Sequence, residues 1–500
     1  MRQLSGLDAA FLSLETRTSS GHVGGVCLLD PGSSARPLDL AAMLDIFAGR
    51  VGLVPVLRQR LQTVPFGLDQ PYWVDDEDFD LEFHVRAVTL PRPGSDAQLT
   101  EQVSRLHSRP LDRTRPLWET YLISGLARKR QAVYTKIHHA AIDGVSGAEI
   151  LTLLLDLSPE GRPGAAIPPF RPERPPGRAR MLAGAGRAAA LRPLDTARIA
   201  RDLIRFLPPA GPVLSRMLGI GERDGSVIPT APARPPATPF NRPVTAHRRW
   251  AFRSVALDDV RSVKNAFGVS VNDVVLAMCA GGLRRWLISH DALPASPLVA
   301  MIPVSVRGKA AEGTLGNRVS AMLAALPTHL PTPAERLLVA HEATRIAKAQ
   351  HAAIPSGLVE NITDFAPPAL AGRAARVAFA TGVLHRLPPF NVVISNVPGP
   401  DVQAYLGGAK LLAYYPVSVV MDGQGLNITV HGYRGGLHFG LIACRELVPD
   451  VDALTGYLVD ELTSLLTAAA GRTPGTRPPR KQQRTAGADP PDATTRRASR

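Results

Sequence analysis

Apolar residues along this chain follow two rhythms. One alternates with polar residues over short runs, as a half-buried strand does, and the other returns every third or fourth residue, as an amphipathic helix does. Over residues 1–158 the alternation predicts strands at "GHVGGVCLL", "DFDLEFHVRAV" and "QAVYTKIHH". The longer period predicts helices at "LAAMLDIFAGRV", "AQLTEQVSRLHS" and "GAEILTLLLDL". The same alternation resumes near Ala246. It predicts strands at "HRRWAFRSVAL", "PLVAMIPVSV", "NRVSAMLAALP", "FNVVISNV", "GLNITVHGY" and "GLHFGLIAC", and helices at "LDDVRSVKNAFG", "VNDVVLAMCAGGLRRWLI", "PAERLLVAHEATRIAKAQ" and "DVDALTGYLVDELTSLL". Strands interleaved with helices imply sheets covered by helices, the α/β class. No sequence repeat links the two halves.

The pattern breaks twice, which divides the chain into four parts: an α/β unit over 1–158, a linker over 159–245, a second α/β unit over 246–470, and a tail over 471–500. The linker is rich in Pro, Arg, Ala and Gly, with "PPFRPERPPGRAR" and "APARPPATPFNRP" near its ends, a composition that favours extended chain. Within it, Thr196 to Leu207 sets Ile199, Leu203 and Phe206 against Arg198, Arg201 and Arg205 at helical spacing. A basic amphipathic helix is expected there, able either to pack on a core or to lie on a lipid surface. The tail has almost no apolar residues and is expected to be disordered.

At 500 residues the chain exceeds what one hydrophobic core ordinarily serves, in keeping with two units. The net charge of +14 is unevenly placed: Pro159 to Arg249 carries 16 Arg against 6 acidic residues, and Gly471 to Arg500 carries 8 basic against 2 acidic. The remainder is therefore slightly negative. A nucleic-acid protein is expected to carry its charge on the folded domains, so no nucleic-acid partner is expected, and the basic segments suit an anionic surface such as a membrane. Cys27, Cys279 and Cys444 are odd in number and far apart, which disfavours a disulfide framework or a cysteine zinc site and fits a reducing cytoplasm. The first fifteen residues lack the pattern of a signal peptide, and no run approaches 20 apolar residues, so neither a signal peptide nor a spanning helix is expected.

Chemistry concentrates in "TKIHHAAIDGVSG", Thr135 to Gly147, where a predicted strand meets a predicted helix. On a strand His138 and His139 point to opposite faces, so one can enter a site while the other packs into the framework. Asp143 and Gly144 fit a turn, with Gly144 supplying backbone freedom. Three uses are open: a zinc site, for which HExxH spacing and cysteine companions are missing; a purely structural pair satisfied by hydrogen bonds; and a general base. No metal is expected.

HHxxxDG is the signature of an acyltransferase superfamily that includes chloramphenicol acetyltransferase and condensation domains of peptide synthetases. The chain resembles one branch, the bacterial wax ester synthase/acyl-CoA:diacylglycerol acyltransferase family. The resemblance rests on "LSGLDAAFLSLE" (Leu4 to Glu15), "HVGG" (His22 to Gly25), "PLDRTRPLWE" (Pro110 to Glu119), "SVNDVVLAMCAGGLRRWL" (Ser270 to Leu287), "MIPVSVR" (Met301 to Arg307), "GNRVSAMLAALP" (Gly316 to Pro327), "FNVVISNVPGP" (Phe390 to Pro400) and "DGQGLNITVHGY" (Asp422 to Tyr433). It departs at Gly6, where the family usually has proline, and in the basic tail.

This resemblance implies two chloramphenicol-acetyltransferase-like subdomains with the active site at their interface. It implies transfer of a long-chain acyl group from coenzyme A to diacylglycerol, or alternatively to a fatty alcohol, at a membrane or lipid-droplet surface. Acyl-CoA is then a substrate, and no cofactor is expected. His139 matches the family's base and His138 is expected to orient it. With no GxSxG elbow and no cysteine beside the motif, attack is expected to be direct, without an acyl-enzyme. Amides near Gly144 and the side chain of Asn272 are oxyanion candidates, and Asn272 with Asp273 is a candidate for binding substrate. Asn272 could equally cap its helix, with Asp273 complementing the helix dipole. Asp143 is expected to brace its loop by pairing with Arg58 or Arg307. Pro116, Leu117 and Trp118 are expected to pack, and Pro398 with Gly399 to turn the chain. A reading of another class is a non-catalytic, lipid-surface-binding scaffold.

Overall fold

The computed structural model describes residues 2–34, 36–141, 155–161, 172–173, 176–188, 190, 234–305, 319–352 and 389–472. Most of the linker, the Thr196–Leu207 segment, the "GAEILTLLLDL" segment before Leu155, and the tail after Arg472 lie outside these residues. So do Asp143, Gly144 and Arg307.

The first half supplies strands β1 (His22–Asp30), β2 (Val85–Thr89), β3 (Trp118–Ser124) and β4 (Gln131–His138), with helices α1 (Gly6–Leu14), α2 (Leu40–Ala48) and α3 (Asp96–Ser108). The second supplies β5 (Arg248–Ala256), β6 (Leu298–Ser305), β7 (Val319–Leu326), β8 (Val392–Val397), β9 (Tyr405–Leu406), β10 (Ala409–Val417), β11 (Leu426–Tyr433) and β12 (Gly436–Cys444). Its helices are α4 (Leu257–Phe267), α5 (Val271–Ser289), α6 (Pro333–Ala352) and α7 (Val451–Ala470). Two six-stranded mixed sheets result, ordered β9-β10-β1-β4-β3-β2 and β7-β6-β8-β11-β12-β5.

The first order corrects the division of the chain at residue 246. Residues 405–417 leave the second unit and extend the sheet of the first, β10 pairing antiparallel with β1 from Lys410 opposite Asp30 to Val417 opposite Gly24. The crossover depends on glycine. A Cβ at Gly25 would stand 2.0 Å from the Tyr414 hydroxyl, so a side chain there would displace the Tyr414 ring.

Alternation along β4 puts Val133 and Ile137 in a cluster with Trp118, Leu57 and Phe47. Its other face places Ala132 and Tyr134 in a cluster shared with Trp250 of β5 and Ile442 of β12, which joins the two units. Trp250 Nε1 donates to the Pro416 carbonyl at 3.0 Å across that seam. The outer edge of β5 is satisfied by α3: Arg248 N donates to Ser108 Oγ (2.9 Å) and Trp250 N to Ser104 Oγ (2.8 Å). The second sheet is covered by α5 and its neighbours around a separate apolar core. There a buried Arg336–Glu461 pair at 2.6 Å ties α6 to α7.

"DFDLEFHVRAV" is a strand only from Val85. Leu81–His84 forms a helical turn because the Asp80 carboxylate accepts from Glu82 N and caps it.

Candidate active site

β4 ends at His138 and a 3-10 turn starts at His139, so the two histidines stand where the sheet hands over to a loop. The backbone is pinned from both sides. His138 N donates to the Leu117 carbonyl (2.9 Å), and His139 N donates to the Gly21 carbonyl (2.8 Å). The Pro116-Leu117-Trp118 segment thus does more than fill a corner. Leu117 and Trp118 are buried, and Trp118 Nε1 donates to the Leu57 carbonyl at 2.8 Å.

The two side chains have different surroundings, although His139 begins the turn and so lies beyond the alternation of β4. His138 is buried, and Ala140 N donates to its Nδ1 at 3.0 Å. That bond makes Nδ1 an acceptor and leaves the ring proton on Nε2. Nε2 lies 3.1 Å from Glu15 Oε1, with the N–H off the direct line to the oxygen, so the contact is mainly electrostatic. His139 is half-buried, and Phe11 of α1 stacks on its ring, centroids 4.0 Å apart and planes 23° from parallel.

Glu15, at the C-cap of α1, gathers the surroundings. Gly21 N donates to Oε1 at 2.6 Å, and Arg113 Nε donates to Oε2 at 2.9 Å, with Arg113 Nη2 also on Oε2 and on the Leu12 carbonyl. Burial pushes the Glu15 carboxyl up, yet the contact with His138, the Arg113 charge and the Gly21 amide outweigh it and hold the group at about 2. Gly21 has no room for a side chain, since its Cβ would lie 2.9 Å from His138 Nε2.

Behind His138 lie further buried polar groups. His22, opposite His138 across β1, donates from Nε2 to the His107 carbonyl at 2.7 Å, and burial drives its pKa well below the ordinary histidine value. His107 donates from Nε2 to the Ser418 carbonyl (3.0 Å) and accepts at Nδ1 from the Tyr134 hydroxyl (2.7 Å); burial and nearby Lys136 hold its pKa down at about 3. Lys136 is buried and donates to the carbonyls of Leu106 and Arg109 at the end of α3, with Glu119 3.3 Å away. Burial lowers its pKa, opposed by Glu119.

Among the described residues, Arg248 of the second unit touches the loop before β1. Arg248 Nη2 donates to the Thr18 carbonyl, in the turn between Glu15 and Gly21. Asn272 and Asp273 sit in the first turn of α5 and make no hydrogen bond to either histidine. The helix cap is Ser270 rather than Asn272: its hydroxyl accepts from Asp273 N (3.2 Å), and Asp273 Oδ2 accepts from Ser270 N (2.9 Å), closing a capping box. His341 Nδ1 lies 2.8 Å from the same oxygen. Asp273 is thereby structural, whereas the side-chain amide of half-buried Asn272 has no partner among the described residues. Arg58, the remaining candidate partner of Asp143, lies over the Phe79 ring, 5.4 Å from its centroid. Gly399 is a close approach: a Cβ would meet the Gly432 carbonyl at 1.9 Å.

Glu15, Phe11, Arg113 and Arg248 are absent from the sequence-based site. Glu15 and Phe11 were within a quoted motif, and Ser5-Gly-Leu-Asp8 has the S-x-x-D form of a helix start, which could have placed α1. Ser5 does cap it, accepting from Asp8 N at 3.2 Å.

Two open mixed sheets sharing a crossover, with His138 and His139 at the end of a central strand, make a fold of the condensation-domain type. The starter condensation domain of rhizomide synthetase shares this fold, at a TM-score of 0.53 and 13% identity over 94% of this chain and 95% of that one. Family models sharpen the assignment: "Wax ester synthase/diacylglycerol acyltransferase catalytic domain" matches residues 4–275, and "WS/DGAT C-terminal domain" matches 315–466. The chain belongs to this family and is an acyltransferase. A probable diacylglycerol O-acyltransferase of Mycobacterium tuberculosis is 38% identical over 92% of this chain and 97% of the relative. The O-acyltransferase WSD of Acinetobacter baylyi is 35% identical over 92% and 96%. A wax ester synthase/diacylglycerol acyltransferase from Marinobacter aquaeolei matches in structure with a TM-score of 0.67 and 33% identity, covering 94% of this chain and all of the other.

Proposed function

We propose that the chain moves a long-chain acyl group from coenzyme A to the free hydroxyl of diacylglycerol, with His139 as general base. The observation that carries this assignment is the asymmetry of the histidine pair. His138 is buried with Nδ1 occupied by an amide and Nε2 turned to Glu15, while His139 is half-buried and oriented by Phe11.

An alcohol is a weak nucleophile near neutral pH, and an imidazole, with an ordinary pKa of about 6.5, is matched to remove its proton as attack begins. His139 takes that proton while the alkoxide oxygen bonds to the thioester carbon. As the tetrahedral intermediate collapses the C–S bond breaks, and the imidazolium returns the proton to the departing thiolate. The side-chain amide of Asn272, without a partner among the described residues, supports a role in stabilising the oxyanion or holding substrate. The Glu15–His138 pair and the Leu117 and Gly21 carbonyls fix the backbone from which His139 projects.

Relatives named for diacylglycerol support that acceptor, and relatives named wax ester synthase support a fatty alcohol as the second. Work at a membrane or lipid inclusion facing the cytoplasm fits the arginine-rich segments. Among the described residues no single helix is long and apolar enough to cross a bilayer. Purified protein with labelled palmitoyl-CoA should release coenzyme A when offered diacylglycerol, at a higher kcat/KM than with hexadecanol. The reverse order would make wax ester synthesis the main activity, and no acceptor-dependent release would remove the enzymatic assignment.

A further inference from the structure

In the first unit an antiparallel hairpin, Gln59–Gln62 with Tyr72–Asp75, is joined by the loop 63–71. At the tip of that loop Phe66 is 85% exposed and Leu68 is 47% exposed. A Cβ at Gly67, between them, would meet nothing within 4 Å, so the tip projects into open space. Phe66 is also held at φ 61°, in the left-handed region that bulky residues avoid. Glycine or asparagine would take that backbone with less strain and would leave no apolar ring in water. A phenyl group so exposed adds little to the core, and both of its costs point to a contact outside the fold.

A helix over residues 178–188 packs against the foot of this loop, with Met181 and Ala185 meeting Val64 and Tyr72. It carries Arg178, Arg180 and Arg187, all exposed, and no acidic residue. Helical spacing puts Arg180, Gly184 and Arg187 on one flank. That flank faces the hairpin, because a Cβ at Gly184 would stand 3.9 Å from the Tyr72 hydroxyl. The charges of Asp69, on the loop, and of Arg180 both act at Tyr72, so one acid stands among these arginines and is outnumbered by them. Exposed apolar side chains and exposed cations thus share one corner of the molecule.

Apolar tips beside arginines suit an anionic lipid surface: the ring enters the interface and the guanidinium groups meet the headgroups. A protein partner needs a broader contact, since stable interfaces bury upward of about 1,000 Å², and a narrow projecting turn offers little of that. Position supports the same partner. Arg2 and Gln3 pair with Trp73 and Tyr72 at the foot of the loop, and Leu4 N donates to the Pro71 carbonyl at 2.9 Å. α1 begins two residues later and carries Phe11, which stacks on His139. One nine-residue helix, about 13 Å long, therefore leads from the foot of the tip toward the proposed base.

We propose that Phe66 and Leu68 dock this turn into an anionic lipid surface, with Arg180 and Arg187 meeting its headgroups. The proposal rests on the reading of the acceptor as a lipid, and it names the surface through which the protein meets the phase that holds that acceptor.

The test uses the full chain and vesicles of phosphatidylcholine, alone or mixed with phosphatidylglycerol, at low ionic strength. Phe66→Asn/Leu68→Gln suits the left-handed backbone and should fold normally, while its partition onto mixed vesicles should fall about tenfold or more. Arg180→Gln/Arg187→Gln should lose about tenfold on mixed vesicles and little on phosphatidylcholine alone. Both double variants should match the wild type in circular dichroism and in transfer from butyryl-CoA to hexanol, which needs no lipid surface. Phe66→Trp reads insertion directly, because the four native tryptophans are buried: its added emission should be quenched by brominated lipids in the mixed vesicles. Unchanged partition of both double variants, or an unquenched Phe66→Trp protein, would overturn the proposal. Self-association that is lost in Phe66→Asn/Leu68→Gln while vesicle binding stays intact would likewise overturn it and assign the tip to a second copy. Vesicle binding weakened by these variants in a protein whose wild type transfers no acyl group would support the docking surface while removing the wider assignment.

Discussion

Glu15 Oε1 lies 3.1 Å from His138 Nε2, although the two residues are 123 positions apart in sequence. The carboxylate also receives the Gly21 amide and Arg113, so one side chain joins the end of α1, the loop before β1 and the end of β4. His138 is best understood through this junction, as the fixed member of the pair whose anchoring aims its neighbour.

Glu15→Gln keeps the shape and an acceptor for Gly21 while removing the charge that faces His138 and Arg113. Loss of a charge-assisted contact of this kind should lower kcat about tenfold, with KM for palmitoyl-CoA little changed. Circular dichroism should show a folded protein. A variant with the wild-type kcat would mean that the charge has no positioning role.

Glu15 also gives stability a defined acid limb. Its folded pKa, about 2, is below the unfolded value of 4.5, so in the window between them the unfolded chain binds the proton that the folded chain refuses. Its contribution is complete above pH 4.5 and is lost as pH falls toward 2. A shift of this size corresponds to on the order of 3 kcal/mol. In urea titrations the stability gap between wild type and Glu15→Gln should narrow between pH 5 and pH 3, and a constant gap would contradict the assignment.

Phe11→Ala removes the ring stacked on His139. Such ring pairs are worth about 0.5–1.5 kcal/mol, so kcat should fall by roughly three- to tenfold. Phe11→Leu, which restores bulk without the ring face, should recover only part of the loss.

Far from the site, Arg336 and Glu461 form a pair whose side chains are 5% and 4% exposed. Arg336→Met leaves a buried carboxylate without its cation and should destabilise the protein by about 3–5 kcal/mol in urea. Arg336→Met/Glu461→Leu should recover most of that loss. Equal destabilisation of the single and double variants would assign the effect to packing.

Much of the fold was legible because strands and helices announce their periods locally. β1, β4, β11 and β12 and helices α3 to α7 lie on the segments whose alternation or helical spacing indicated them. What periodicity does not encode is the partner of a strand. "AKLLAYYPV" pairs with "GGVCLLD" from the opposite end of the chain, and neither segment records that distance. β3 was hidden for a related reason: Trp118 to Ile123 are all buried, so the run lacks the polar alternation of a half-exposed strand. At the site, strand alternation stops at His138, because His139 begins a 3-10 turn whose start the alternation did not mark. Glu15 and Arg113 were out of reach because their pairing is set by tertiary geometry across 98 residues. The capping-box form S-x-x-D at Ser5 and Ser270 was readable, and it would have moved the cap of α5 from Asn272 to Ser270.

The central claim is that His139, and not His138, removes the proton from the acceptor. Single-turnover transfer from labelled palmitoyl-CoA to diacylglycerol, measured for His139→Ala beside the wild type with circular dichroism to verify folding, addresses it directly. The predicted result is a loss of roughly 10²–10⁴-fold in the transfer rate with the fold intact. A folded His139→Ala protein that transfers palmitate at the wild-type rate would contradict the account.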